Sequence, residues 1–210
     1  MAGSKIPYLF LLVALILFNG LILLTPLVAS QDAGVGNLLY IAFAPTCHQL
    51  TSRSLCLFKS GGNGQLSIGD CMQSDVLSLT RANTVVRGDE TGYKFPVCAR
   101  DMGIYLAMLL GMLILPFIWK IEGEEWPNKW ILVAAAVPIG IDGTTQLFGF
   151  RESSNFLREI TGFIIGIVLP FYLVPMLNSL YFFLLQKKEE WGKEEKTSAS
   201  AHAKMKQRAH

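Results

Sequence analysis

Residues 98–119 have the sequence CARDMGIYLAMLLGMLILPFIW, a polar motif that runs directly into an unbroken apolar stretch. The apolar part, Met102–Trp119, is close in length to the roughly 20 helical residues that cross the hydrocarbon core of a bilayer. Ionisable residues beside such a stretch are costly in a membrane, so they usually line a site or pair with one another. The stretch therefore predicts a transmembrane helix with a group of functional side chains at one end.

Three more apolar runs occur along the chain, at Ile6–Ser30, Trp130–Phe148 and Ile160–Leu185. Of the 210 residues, 51% are hydrophobic and only 16% are charged, and the mean hydropathy is +0.40. Because this is more apolar than an ordinary soluble domain, we predict an all-α, polytopic membrane helix bundle with about four transmembrane helices. A cleaved signal peptide remains the alternative for the first run, since Lys5 precedes it and Val28-Ala29-Ser30 resembles a cleavage site.

These runs divide the chain into four parts. Residues 1–30 form the first transmembrane helix, 31–97 an extracytoplasmic segment with an interfacial helix and a cysteine-rich loop, 98–185 the other three transmembrane helices, and 186–210 a charged cytoplasmic tail. Lysines in the short loops and the tail fall on one side of a chain with four spans, and such residues mark the cytoplasmic side. We therefore expect a multi-pass protein of the cell membrane, with both termini cytoplasmic and the cysteine-containing loop outside.

All four cysteines, Cys47, Cys56, Cys71 and Cys98, fall in the extracytoplasmic segment or at its membrane edge. Four cysteines in an oxidising compartment indicate two disulfides that staple the outer loop. Their positions alone leave the three possible connectivities open.

The first polar cluster combines two thiols, an imidazole and a carboxylate: Cys47, His48, Cys98 and Asp101. This set can bind zinc or copper, although adjacent Cys47 and His48 are a poor chelate by themselves. The alternatives are a Cys47–Cys98 disulfide, with His48 on the surface, and two free thiols. His48 precedes the charged tail, where the other histidines lie, so a histidine-based mechanism must use it.

The second polar cluster lies around the third apolar run and the loop after it. Together with Arg100 it gives the predicted polar pocket, whose members are Asp142, Gln146, Arg151, Glu152, Asn155, Arg158 and Arg100. One interpretation is structural, with Asp142 paired to Arg151 or Arg158. The other is a pocket for an anionic head group, because arginines hold phosphate or carboxylate through bidentate hydrogen bonds. We expect the two clusters to meet in one outward-facing pocket.

Several motifs in the same order resemble a domain-of-unknown-function family of small predicted membrane proteins, mostly archaeal and bacterial. The motifs are Cys47-His48-Gln49, Arg53-Ser54, Pro96-Val97-Cys98-Ala99-Arg100, Gly103-Ile104-Tyr105, Asp142-Gly143-Thr144-Thr145-Gln146, Arg151-Glu152-Ser153-Ser154-Asn155-Phe156-Leu157-Arg158 and Thr161-Gly162. The resemblance covers roughly Leu39–Gly166 and implies a fold without an established biochemistry.

The chain differs from that family at two places. Asp101 stands where the family often has a second cysteine, which favours a Cys47–Cys98 pair over a three-cysteine metal site. The stretch from about Lys59 to Tyr93 resembles an insertion, so Cys56 and Cys71 are implied to pair with each other.

Three functions follow as hypotheses. The first is a non-catalytic subunit or accessory protein of a larger membrane complex, with membrane lipids and other membrane-protein subunits as partners. The second is an outer-leaflet protein or enzyme that binds a lipid or anion through Asp142, Arg151, Glu152 and Arg158. The third is extracytoplasmic handling of zinc or copper. We expect no resident cofactor beyond a bound lipid or this metal.

Two classes of function are less compatible with the sequence. The net charge is only +2, and no basic patch carries interleaved aromatic residues, so nucleic acid is not an expected partner. The chain has no Ser/His/Asp order, no glycine-rich phosphate loop and no HExxH motif. Whether it is an enzyme therefore stays open.

Overall fold

The computed structural model describes residues 4–61, 64–71 and 81–208. Its helices are α1 (Ile6–Ala29), α2 (Ala33–Phe43), α3 (Ala99–Ile118), α4 (Lys129–Leu147), α5 (Asn155–Val168) and α6 (Pro170–Arg208). Its strands are β1 (Leu55–Ser60), β2 (Leu66–Asp70), β3 (Thr84–Arg87) and β4 (Glu90–Lys94).

Four helical segments are long and apolar enough to cross a membrane, as the sequence predicts. They are Ile6–Ala29, Ala99–Ile118, Lys129–Leu147 and the combined α5–α6 segment Asn155–Glu194. The fourth begins earlier than the predicted Ile160, because the Ser154 side chain caps α5 by accepting a hydrogen bond from the Leu157 amide at 3.3 Å. Pro170 opens α6 after a break at Leu169, as expected of a residue without an amide hydrogen.

The four strands correct the prediction of an all-α fold. They form one antiparallel sheet in the order β2-β1-β4-β3, within the segment predicted as an outer loop. In β1, Cys56 and Phe58 are buried while their neighbours are less so, the alternation of a strand with one covered face. The sequence predicts only an interfacial helix and a cysteine-rich loop in this segment.

The Cys56–Cys71 disulfide confirms one predicted pairing. It joins the beginning of β1 to the residue after β2, across a separation of 15 residues. Closing a loop of this length stabilises a fold by about 3 kcal/mol in the chain-entropy account. This bond therefore compensates for the small core of the sheet, which centres on the two cysteines and Phe58.

The helical core lies where α1, α3 and α6 meet. One cluster consists of Tyr8, Leu15, Met112, Leu115 and Val174, all buried. The Tyr8 hydroxyl also donates a hydrogen bond to the Met112 carbonyl at 3.0 Å, so α1 is held to α3 by a polar contact as well.

Helices α3 and α5 contact each other through their backbones. A Cβ atom on Gly162 would overlap the carbonyl oxygen of Arg100, and one on Gly166 would overlap that of Ile104. Small residues at such positions let two helices approach more closely than larger side chains allow. The approach brings the first turn of α3, with Arg100, beside the first turn of α5, with Arg158.

Candidate functional site

A cavity of about 370 Å³ lies at the end of the bundle where α3 and α5 begin and α4 ends. Its polar lining comes from both clusters recognised in the sequence: Cys47, His48, Gln49, Arg53, Cys98, Arg100, Asp101, Gln146 and Arg158. Three arginines in this lining face one aspartate. The cavity therefore has an excess of positive charge.

Asp142 lies behind the cavity wall and ties three segments together. It is only 1% exposed, and its carboxylate accepts hydrogen bonds from Arg100 and, at 3.0 Å, from Arg151. Contact with Arg151 agrees with the structural interpretation of the sequence, whereas the pairing with Arg100 was not anticipated. Asp142 is one of the two buried residues of α4. Its ion pair with Arg100 links α4 to the first turn of α3.

Arg158 forms the buried side of the cavity, with an exposure of 5%. Its Nη1 donates to Asn155 at 2.7 Å. With the Gln146 amide oriented so that its oxygen faces the arginines, that oxygen accepts from Arg158 at 2.7 Å and from Arg53 at 3.1 Å. The Arg158 Nε has no hydrogen-bond partner among the described residues. A buried guanidinium thus retains a donor for another group.

Asn155 connects this arginine to the β-sheet. Its amide nitrogen donates to the Asp70 carboxylate, at the end of β2, at 2.9 Å, while its oxygen accepts from Arg158. Asn155 is itself 5% exposed, so the chain from sheet to arginine is buried at its centre. The position of Arg158 therefore depends on the sheet as well as on α5.

Cys47 and Cys98 are free thiols in the structure, which corrects the predicted disulfide between them. The Cys98 thiol donates to Asp101 at 3.1 Å, and the Cys98 amide donates to the Cys47 sulfur at 3.2 Å. Each sulfur thus takes part in a hydrogen bond instead of a disulfide bond. A hydrogen bond with Cys98 lowers the pKa of Cys47, and the same hydrogen bond, with burial, raises the pKa of Cys98.

Lys94 is a buried residue beside the cavity that the sequence analysis missed. It is 0% exposed, and its ammonium donates to the Gln49 carbonyl at 2.7 Å. Tyr40 donates from its hydroxyl to the Lys94 carbonyl and accepts at its own carbonyl from the Gln49 amide. Burial lowers the pKa of Lys94 to about 8. This network holds Gln49 at a φ of 53°, a left-handed conformation that is uncommon outside glycine.

Not every predicted residue lines the cavity. Asp142, Arg151 and Asn155 support the wall from behind, and Glu152 is exposed outside the lining. Arg53 lines the cavity although the predicted pocket omitted it. Its place shortly after Cys47-His48-Gln49 was the available signal.

A larger cavity of about 790 Å³ lies at the other end of the bundle, beside the loop between α3 and α4. Its charged lining includes Lys5 and Glu122, which form an exposed ion pair at 3.6 Å. Exposed pairs of this kind contribute little free energy because solvent screens the two charges. The smaller cavity, with its buried arginine and two free thiols, is the better candidate for function.

The chain is similar to a family of predicted membrane proteins and to two uncharacterised archaeal proteins. Residues 90–172 match the DUF2085 family, described as a predicted membrane protein. An uncharacterised protein of Methanocaldococcus jannaschii is 35% identical over 187 residues, which cover 86% of this chain and 96% of that relative. An uncharacterised protein of Methanothermobacter thermautotrophicus is 41% identical over 78 residues, covering 36% of this chain and 67% of the relative. No solved structure matches the chain.

Proposed function

The chain belongs to the DUF2085 family of predicted membrane proteins, and from that premise we propose that it binds a phosphate- or carboxylate-bearing anion in the arginine-lined cavity. The favoured ligand is the head group of a lipid in the outer leaflet. This is the second of the three functions that the sequence suggests, with Arg53, Arg100 and Arg158 as the ligand-facing residues.

The observation that carries this proposal is the buried Arg158 with its unpartnered Nε. A buried cation is costly unless it is paired and hydrogen-bonded. Within the described part of the chain, the Arg158 guanidinium hydrogen-bonds only to the neutral amides of Asn155 and Gln146. An anion in the cavity would supply both the opposite charge and the missing acceptor. Arginine presents its donors in a planar fork that matches phosphate and carboxylate oxygens.

The other two arginines differ in how they are held. Arg100 is fixed from behind by Asp142, which leaves part of its guanidinium facing the cavity. Arg53 comes from the turn before β1 and shares the Gln146 oxygen with Arg158. The donors are therefore positioned before a ligand arrives, and such pre-organisation lowers the entropic cost of binding.

The size and place of the cavity favour a lipid head group over a larger solute. Its volume of about 370 Å³ lies near the lower end of the range for ligand pockets. It opens at the ends of membrane-length helices, the level at which the head groups of a bilayer lie. A free anion of the same chemistry would satisfy the same arginines, so the two sources need separate tests.

The test uses the full chain purified in detergent, with inorganic phosphate as one probe and co-purifying lipid, identified by native mass spectrometry, as the other. We expect Arg158→Gln to weaken binding by about tenfold or more, because one hydrogen bond to a charged group contributes about 1.5–3 kcal/mol. Arg87→Gln is the matched control, since Arg87 lies on the outer sheet and pairs with Glu90.

The outcomes separate the two sources. A retained anionic lipid that Arg158→Gln loses supports the head-group assignment. Stabilisation by phosphate without a retained lipid supports a free anion instead. A wild-type protein that retains no lipid and is not stabilised by phosphate overturns the proposal.

The role as a subunit of a larger membrane complex stays a prediction. Its test is purification in a mild detergent, where stable co-purifying subunits are expected.

A further inference from the structure

We propose that Cys47, Cys98 and Asp101 bind a divalent transition metal of the zinc class, with one coordination position left facing the arginine-lined cavity. The two sulfurs and a carboxylate oxygen all lie within 4.8 Å of one another. The set joins two segments far apart in sequence, the turn after α2 and the first turn of α3.

The spacing is close to what a zinc ion requires. Zinc–sulfur bonds are about 2.3 Å long, so two ligand atoms of a tetrahedral site lie about 3.7 Å apart. The Cys98 sulfur and the Asp101 oxygen are 3.1 Å apart as hydrogen-bond partners. Replacing the shared proton by a metal moves these atoms apart by a fraction of an ångström. Two thiolates and one carboxylate form a donor set that zinc accepts.

The surroundings of Cys47 suit a thiolate ligand. Its sulfur accepts hydrogen bonds from the backbone N–H of Cys98 at 3.2 Å and from the backbone N–H of Gln49 at 3.5 Å. Amide donors to a metal-bound sulfur fix its orientation, and such partners tune a site as much as the ligands do. The strained backbone of Gln49, held by Lys94 and Tyr40, positions one of these amides.

The three ligands leave a fourth position for water or an anion. His48 lines the same cavity but is exposed and lies outside the group of close ligand atoms. Zinc sites with three protein ligands and one open position are typical of sites that act on a bound molecule, whereas structural sites use four. The open position faces the cavity lined by Arg53, Arg100 and Arg158. An anion bound there would contact both the metal and these arginines. That contact rests on the proposed function, whereas the metal site itself does not.

The experiment measures zinc bound to the full chain, purified in detergent under anaerobic conditions without a reductant, so that the Cys56–Cys71 bond stays intact, and dialysed against a weak chelator. We expect one zinc per chain in the wild type, a loss of at least tenfold in affinity in Cys47→Ser and Cys98→Ser, and a smaller loss in Asp101→Ala. His48→Ala is the control and retains zinc. Cobalt substitution gives a second readout, because the intensity of the sulfur-to-cobalt absorption follows the number of thiolate ligands and falls by about half in each cysteine variant.

Several outcomes would overturn the site. They are a wild type that binds no zinc, non-reducing peptide mapping that finds Cys47 linked to Cys98, and a His48→Ala variant that loses zinc as completely as Cys47→Ser. Thermal unfolding of each variant with chelator present shows whether it remains folded.

The proposed anion site is tested separately in the same preparation. Phosphate that stabilises the metal-free wild type but not Arg158→Gln supports anion binding whether or not zinc binds. Phosphate that changes the cobalt spectrum supports the open coordination position. An unchanged spectrum under saturating phosphate overturns the binding of an anion to both metal and arginines and leaves the three-ligand site intact.

Discussion

Asp142 shows how a single carboxylate can hold together the end of a helix bundle. It is buried at 1% exposure and accepts from Arg100 and Arg151, so its charge balances cations from two other segments. Breaking a buried ion pair by removing one partner is far more costly than replacing the whole pair, because the remaining charge loses its compensation. The residue therefore stabilises the fold and fixes the direction of Arg100 at once.

We predict that Asp142→Asn lowers the free energy of unfolding in detergent by about 3 kcal/mol. The estimate lies at the lower end for a buried pair because Arg151 is half exposed and can be solvated. Glu124→Gln is the control, since Glu124 is exposed in the loop between α3 and α4. Small and equal shifts of the two unfolding midpoints would contradict the prediction.

Lys94 predicts a dependence of stability on pH. Its pKa is lowered from 10.5 to about 8 by burial, with Arg81 acting in the same direction and Cys47 against it. The Tyr40 ring and the Gln49 carbonyl face the ammonium as well. Between about pH 8 and 10.5 the unfolded chain binds more protons than the folded one, so stability rises with pH by up to about 3 kcal/mol.

The measurement is the unfolding midpoint from pH 7 to 10.5, in the wild type and in Lys94→Met, with a chelator present. Both proteins contain the two thiols, so the difference between the two curves reports the lysine together with its interaction with Cys47. Parallel curves would show that Lys94 does not titrate in this range.

At the scale of elements, the contact between α3 and α5 determines whether the cavity exists. Gly162 packs directly on the carbonyl of Arg100, and the side chain of Arg100 lines the cavity. Any increase in the distance between these helices moves Arg100 away from Arg158.

We predict that Gly162→Ala destabilises the protein by about 1–3 kcal/mol, the usual cost of inserting a methyl group into a packed contact. Gly140→Ala is the matched control: Gly140 lies in α4 and nothing lies within 4 Å of a Cβ built there. This change should leave the stability unchanged or raise it slightly, because alanine has a higher helix propensity than glycine. Similar unfolding midpoints in the two variants would contradict a close contact at Gly162.

The elements differ in how far their sequences determine them. Four membrane-length helices could be predicted because lipid requires long apolar runs, and these runs are uninterrupted. The sheet was missed because its strands are only 4–6 residues long and their pairing is non-local.

At the site, sequence reasoning could identify the polar residues but not all of their partners. Arg100 as a partner of Asp142 depends on how α3 is rotated, and no spacing between residues 100 and 142 encodes that. Lys94 was missed for another reason, since a lysine in a polar segment is usually exposed. In both cases tertiary packing determined the contact or the burial of the residue, and local sequence patterns do not encode it.

For the whole molecule, four spans predict that the outer sheet and the tail lie on opposite sides of the membrane. Ser67, on β2, and Lys188, on α6, are both exposed. A cysteine introduced at Ser67 should react with an impermeant thiol reagent added to intact cells, and one at Lys188 should not. Both should react after permeabilisation, with the unmodified chain giving the background. Labelling at Lys188 from outside would refute the orientation.

The hydrogen bond from Asn155 to Asp70 has a consequence for how the protein matures. Asp70 precedes Cys71, so the end of β2 is held in place by the Cys56–Cys71 bond. Asn155 in turn orients Arg158. We expect a freshly inserted chain to have its helices in place while Arg158 is still loosely held, and to gain full anion affinity only after oxidation. Expression in a host that cannot form disulfides should therefore yield a folded bundle that binds phosphate poorly until an oxidant is added.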